Sequence, residues 1–402
     1  MLGSAVVKRY AHTAAADFTH TVIGAGAVGL AIAADIAERF SDANVLLLEK
    51  NANYGQETSS RNSEVVHGGL YYPESSLKTK LCVEGKNMIY GLQNGNSAAR
   101  DVQVRNCGKW IIAQTTQEQE YLERMHEKSK RIGVPTEFVG IKEAKKKEPL
   151  ISARCGVLHS LTTGIISAHD LMDYQFGRFE EAEGSAVFNT NVVGIKYQRS
   201  AHLYEVQTEH SGADAGANEE DGGDGAFTFT TDALINCAGL HAAEISNLIL
   251  PEARHIKQFY AKGNYFSYSG RPLGIQRLIY PCPTPGVASL GTHLTIDLGG
   301  QVKFGPDLEW VDNCDDYTVN GNNLEEACKQ VDLYLPGITP ENLTASYSGI
   351  RPKIIGPNEK RFQDFVIREE KDFPGFINLL GIESPGLTCS MAIGKYVCDK
   401  FI

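Results

Sequence analysis

Three glycines and one acid, Gly24, Gly26, Gly29 and Glu49, have the types and spacing to hold a dinucleotide. The first glycine permits a tight turn, the second leaves room for a pyrophosphate against the backbone, and the third lets a helix pack closely on a strand. Free N–H groups at the helix start then face the phosphates. Glu49 stands 25 residues beyond Gly24, at the end of an apolar run. A carboxylate there accepts both hydroxyls of an adenosine ribose and disfavours a 2'-phosphate. The glycines alone are a weak signal, and the placed acid makes it specific.

Positioning these groups takes a strand over 18–23, a turn over 24–29, an Ala-rich helix over 27–40 and a second strand over 43–48, which together form a βαβ unit. Further along, a helix begins near Ser76, charged amphipathic helices cover 117–132 and 141–148, and a helix over 169–183 follows the capping residue Ser167. Strands are expected at 186–188, 192–198 and 202–207. Residues 209–226 are acidic and rich in Gly and Ala, which reads as a surface loop between two hairpin strands. The apolar run 227–237 ends in Ala238 and Gly239, a second point where backbone can approach a dinucleotide. Residues 258–310 alternate as β-structure, broken by Pro281, Pro283 and Pro285. A strand at 375–383 leads into a helix over 388–398, whose N-terminus can face an electron-rich atom.

Bulk composition narrows the classes. The 402 residues are 42% hydrophobic and carry a net charge of −11, from 38 basic against 49 acidic side chains. Two or three domains are expected at this length. The acidic balance and the lack of a basic block argue against nucleic acid as a main partner. Nine cysteines without a CxxC pair suit a reducing compartment and argue against a disulfide framework or a structural zinc site; no metal is expected. No apolar run reaches the roughly 18 residues needed to span a bilayer, which leaves peripheral association as the expected form of any membrane contact. Residues 1–17 are basic and free of acids before Asp17, so they read either as a mitochondrial targeting segment or as a plain tail with a cytoplasmic protein behind it.

Five blocks in order then carry a resemblance: the first βαβ unit, the run from Thr58 to Tyr72 (TSSRNSEVVHGGLYY), the strand ending Asn236-Cys237-Ala238-Gly239, Ser348-Gly349-Ile350-Arg351-Pro352, and the run from Gly381 to Leu387 (GIESPGL). Together they resemble the D-amino-acid oxidase-like superfamily of FAD-dependent oxidoreductases, and within it the L-2-hydroxyglutarate dehydrogenase group with its uncharacterised FAD-dependent relatives. The resemblance spans about residues 18–400, interrupted by the acidic loop. It implies an α/β plus α+β fold, in which an FAD-binding Rossmann-like domain (18–90, 150–225 and 340–402) is interleaved with an antiparallel or mixed-sheet substrate domain (91–149 and 226–339).

The resemblance also implies FAD as cofactor. Gly24, Gly26, Gly29 and Glu49 would bind its ADP half, with Val28, Lys50 and Val192 beside them. Thr58, Ser59, Arg61, Asn62 and Ser63 would run along the pyrophosphate and isoalloxazine, near Ala238, Gly239, Gly349 and Arg351. Ser384, Pro385, Gly386, Leu387 and Thr388 would face the flavin N1 and O2 side. Two positions depart from the close members, Glu64 where glycine is usual and Gly68 where serine or alanine is usual. These departures weaken the substrate reading and leave the flavin reading intact.

Oxidising a 2-hydroxy acid needs a hydride acceptor, a base for the hydroxyl proton and a cation for the carboxylate. His67 is the expected base, an imidazole of ordinary pKa, with His293 as the runner-up or a second substrate contact. Arg351 offers a planar fork for a carboxylate or the flavin edge. Lys262, which resembles the family position leading a strand into the substrate domain, is expected either at a distal carboxylate or as a surface lysine, and Tyr72, with Tyr71, supplies hydroxyls near His67. The expected reaction converts a small carboxylate, L-2-hydroxyglutarate, to 2-oxoglutarate and passes electrons to a quinone or another carrier. The rival is an amino-acid oxidase of the D-amino-acid or glycine oxidase type; a protein that retains FAD without turnover is the third reading.

Overall fold

The computed structural model describes residues 16–211, 227–283 and 291–402. Most of the expected tail and most of the expected acidic loop fall outside that range. The strand Phe18–Ile23 pairs in parallel with Val45–Leu48 on one side and with Phe227–Asn236 on the other. These three strands form the middle of a sheet, extended by Ser185–Val187 and Phe376–Leu380 in parallel and by three antiparallel strands. The strands flanking the acidic segment, Leu203–His210 and Phe227–Asn236, do pair antiparallel.

The helix Ala27–Arg39 forms where the sequence changes from alternating to Ala-rich. It buries Leu30, Ile32 and Ile36 completely, each contributing about 1.5–3 kcal/mol. Its alanines allow a close crossing with the last helix, Gly386–Phe401. At Gly394 an added Cβ would lie 2.8 Å from the Ala31 carbonyl oxygen. The crossing therefore fixes the start of the last helix beside the glycine turn.

A second, mixed sheet runs in the order Glu309–Val311, Phe259–Tyr268, Val302–Gly305, His293–Ile296, Leu278–Pro281, Lys109–Ala113, Gly156–Ser160 and Thr136–Val139; Leu343–Lys353 pairs on Phe259–Tyr268. One face carries Trp110, Phe266 and Phe304 into a core with Ala327 and Val331 of the helix Leu324–Asp332. Alternation sends Lys109 and Tyr280 to the other face.

Sheet membership differs from the expected segments at three strands. Phe227–Asn236 follows the boundary expected at 225 yet pairs with the first strand of the nucleotide sheet. Leu343–Lys353 and Gly156–Ser160 fall in segments expected to bind FAD yet belong to the second sheet. An apolar strand carries the same pattern in either sheet, and its partner is chosen by long-range packing.

Candidate active site

The glycine turn is closed as its spacing requires. Gly24 has φ +101°, and a Cβ on it would meet the Cys237 carbonyl oxygen at 2.6 Å, so the two turns expected to approach a dinucleotide touch each other. A Cβ on Gly29 would stand 1.9 Å from the Gly24 carbonyl oxygen. Ser59 Oγ accepts from the Ala27 N–H at 3.0 Å and packs over Gly26. Glu49 Oε1 accepts from both Asn51 N (2.9 Å) and Asn51 Nδ2 (2.8 Å), and its Oε2 accepts from Ala25 N at 2.8 Å. Burial raises the pKa of this carboxyl, opposed by the Asn51 and Ala25 N–H groups. Three of roughly four acceptor positions are thus filled by protein, so Oε2 has room for one ribose hydroxyl and not the expected two.

From Glu49 a cavity of about 910 Å³ runs between the two sheets to His67 and Arg351. Every residue named above for FAD lines it, as do His67, Tyr72, His293 and Arg351. Glu64 and Gly68 are absent from its wall. Glu64 has φ +54°, a conformation that favours glycine, and its carboxylate accepts from Ala168 N at 2.9 Å, capping a helix. The departure from glycine is accounted for by that cap and has no contact with the cavity.

His67 follows the short strand Val65–Val66. Its backbone N–H donates to Thr388 Oγ1 at 3.1 Å, and the Thr388 hydroxyl donates to Val65 O at 3.1 Å. The start of the last helix therefore holds the histidine in place. Its Nδ1 is buried and has no hydrogen-bond partner among the described residues. Burial first, then the neighbouring Lys109 and His293, push its pKa down to about 3, which corrects the expectation of an ordinary imidazole. A neutral ring results, and that is still the form that accepts a proton.

His293 stacks on Tyr280 with ring centroids 3.8 Å apart. Its Nδ1 lies 3.0 Å from the Gly291 carbonyl, so Nδ1 carries the hydrogen and Nε2 keeps a lone pair. Burial holds this imidazole down to about 3 as well. Arg351 has no carboxylate at ion-pair distance among the described residues; burial raises the pKa of the Tyr265 hydroxyl, and the Arg351 charge acts to lower it. The Tyr265 hydroxyl is 3.0 Å from Ser63 Oγ, and its ring stacks on Tyr347 at 4.4 Å.

Lys262 is elsewhere. It pairs with Ile350, one position out of phase with the Ala261–Arg351 pair, so its side chain leaves from the opposite face of the sheet. Its Nζ lies 2.9 Å from Asp316 and 3.6 Å from Glu309. The structure thus corrects its expected role at a distal carboxylate. Lys262→Met should leave KM within about twofold of wild type while costing about 1–3 kcal/mol of stability, read as a lowered thermal midpoint. A large rise in KM would return Lys262 to the substrate.

Sequence reasoning missed an ion cluster on the cavity wall. Glu383 is bonded by Lys78 at 2.9 Å and by Lys353 at 2.7 Å, leaving one net positive charge next to Ser384–Thr388. Burial acts against the Glu383 carboxylate, yet the two lysines hold its pKa below the usual range. Lys353 was legible, since it follows Arg351 by two residues on one strand. Lys78 and Lys109 carried no such signal. At the adenosine end, His241, Cys314 and Asp315 bring ligand-type atoms within 4.8 Å of one another. His241 there faces Glu57 at 3.5 Å and Glu244 at 2.8 Å, which raise its pKa and make it an ion-pair partner.

A glycine turn, an acid at the second strand and a cavity long enough for an extended dinucleotide define a flavin-dependent oxidoreductase. The family described as FAD dependent oxidoreductase matches residues 20–400, and the chain belongs to it. The chain is 35% identical over 419 residues to the mitochondrial L-2-hydroxyglutarate dehydrogenase of Arabidopsis thaliana, covering 95% of this chain and 83% of that protein. It is 25% identical to the L-2-hydroxyglutarate dehydrogenase of Escherichia coli, covering 95% and 93%. The FAD-bound, dithionite-reduced L-α-glycerophosphate oxidase of Mycoplasma pneumoniae shares the fold, with a TM-score of 0.78, 22% identity and coverage of 95% of this chain and 94% of that one.

Proposed function

We propose that this enzyme oxidises a 2-hydroxy acid, with L-2-hydroxyglutarate as substrate and 2-oxoglutarate as product. The observation that carries the reading is the far end of the cavity, whose wall carries two neutral histidines and an arginine without a carboxylate partner among the described residues. Resemblance to the plant and bacterial L-2-hydroxyglutarate dehydrogenases supports the substrate.

When bound, FAD supplies the two-electron acceptor, taking the Cα hydrogen as hydride at N5. Arg351 grips the 1-carboxylate through its fork. His67 takes the hydroxyl proton, and His293 Nε2, whose lone pair is free, is the alternative acceptor of that same proton. The Cα–H and O–H bonds break, and a carbonyl forms. The positive charge left by Lys78, Lys353 and Glu383 beside the last helix favours negative charge developing at that wall. A quinone or another carrier would serve as the final electron acceptor.

Anaerobic mixing of the yellow enzyme with both enantiomers of 2-hydroxy acids and amino acids tests the reading. Bleaching by L-2-hydroxyglutarate is expected to be fastest. Faster bleaching by an amino acid would replace the proposal with the amino-acid oxidase reading. Arg351→Lys keeps the charge but loses the fork, so KM should rise about 10- to 100-fold with FAD retained. Loss of flavin from this variant would move Arg351 to the cofactor.

A further inference from the structure

Lys109 is only 1% exposed and has no carboxylate partner among the described residues. Its Nζ lies 4.5 Å from the ring centroids of both Tyr71 and Tyr280. The hydroxyls of those two tyrosines are buried and also lack hydrogen-bond partners among the described residues, as does His67 Nδ1. Tyr71, Tyr280 and His67 all line the cavity. The ammonium thus rests on two ring faces without a counter-charge, and the hydroxyls of the same two rings have no acceptor; an anion at this place would meet both needs, because each unmet group carries a desolvation cost.

Arg351, the other cation without a carboxylate partner among the described residues, acts on His293, and Lys109 acts on both histidines. Both cations and both histidines thus belong to one end of the cavity, where His67, His293 and Arg351 line the wall. We infer that Lys109, with the Tyr71 and Tyr280 hydroxyls, forms the subsite for the second carboxylate of a 2-hydroxy dicarboxylate whose first carboxylate is held by Arg351. The inference rests on the 2-hydroxy-acid reading above. One ammonium and two hydroxyls can fill most of the roughly four acceptor positions of a carboxylate. Burial holds the Lys109 amine down to about 7, and an arriving carboxylate restores its charge.

Calorimetric titration of the FAD-loaded enzyme with glutarate and with pentanoate, which differ by one carboxylate, is the test. Wild type should bind glutarate about 30-fold more tightly or better, and Lys109→Met should reduce that preference to about threefold or less. Tyr280→Phe, which keeps the ring beside His293, should reduce it by about tenfold and serves if the lysine variant fails to fold. Equal binding of both acids, or of neither, by wild type overturns the inference, as does a full preference in a folded Lys109→Met or Tyr280→Phe. Tighter binding of glycerol 3-phosphate than of glutarate overturns the dicarboxylate assignment. A glutarate preference without flavin bleaching by any 2-hydroxy acid would sink the reaction and keep the subsite. Bleaching without the preference would do the reverse.

Discussion

His67→Gln should keep its FAD and lose about 10²–10⁴-fold in the rate of flavin reduction. Glutamine preserves the main-chain bond from residue 67 to Thr388 Oγ1, so the strand and the last helix stay joined. It removes the only ring at this position that can take a proton. The readout is anaerobic stopped-flow reduction, with flavin content measured first. A near-normal rate would transfer the base role to His293, and His293→Gln would then carry the loss.

The pH dependence gives the same assignment a second check. His67 and His293 have folded pKa values of about 3 against the usual 6.5. Each ring is neutral above pH 6.5 in both the folded and unfolded chain, so stability is full there. As pH falls from 6.5 toward 3 the unfolded chain binds protons that the folded chain refuses, and stability is lost. The acid limb of kcat/KM in the holoenzyme should accordingly lie below the ordinary histidine range. A limb centred at 6.5 would show that the base is an exposed group.

Gly29→Ala is the second large effect, and it falls at the opposite end of the cavity. The new methyl would stand 1.9 Å from the Gly24 carbonyl oxygen and 3.3 Å from Cys237 Cβ. No flexible side chain can yield at the first contact, so the turn or the helix must shift. The expected result is a colourless protein, with FAD affinity reduced at least about 100-fold and stability lowered by about 1–3 kcal/mol. Fluorescence titration of the apoprotein with FAD measures the first, and thermal unfolding the second. Normal flavin content in this variant would mean that the helix does not need to start against the turn.

The nucleotide end was legible because its requirements are local. A tight turn, a close helix and an acid at a strand end are consecutive features of one βαβ unit, and each restricts the residue type at a fixed spacing. The substrate end was legible only in pieces. His67 and Arg351 stood in recognisable blocks, but the ionisation of His67 depends on burial by segments more than 200 residues away. Lys262 shows the opposite failure. Its strand was recognised, but one step of register sends its side chain to Asp316 and Glu309, away from the cavity.

By itself, the amino-acid sequence determined the FAD cradle, the element order around it and the two histidines and one arginine available for chemistry. Tertiary structure alone decided which strands share a sheet and that Lys109 rests on two tyrosine rings with no carboxylate partner among the described residues. It also decided that Glu383 is held by two lysines. Backbone turns are set by neighbours in sequence. Charge, burial and pairing are set by contacts between residues distant in sequence, which the spacing of a motif does not encode.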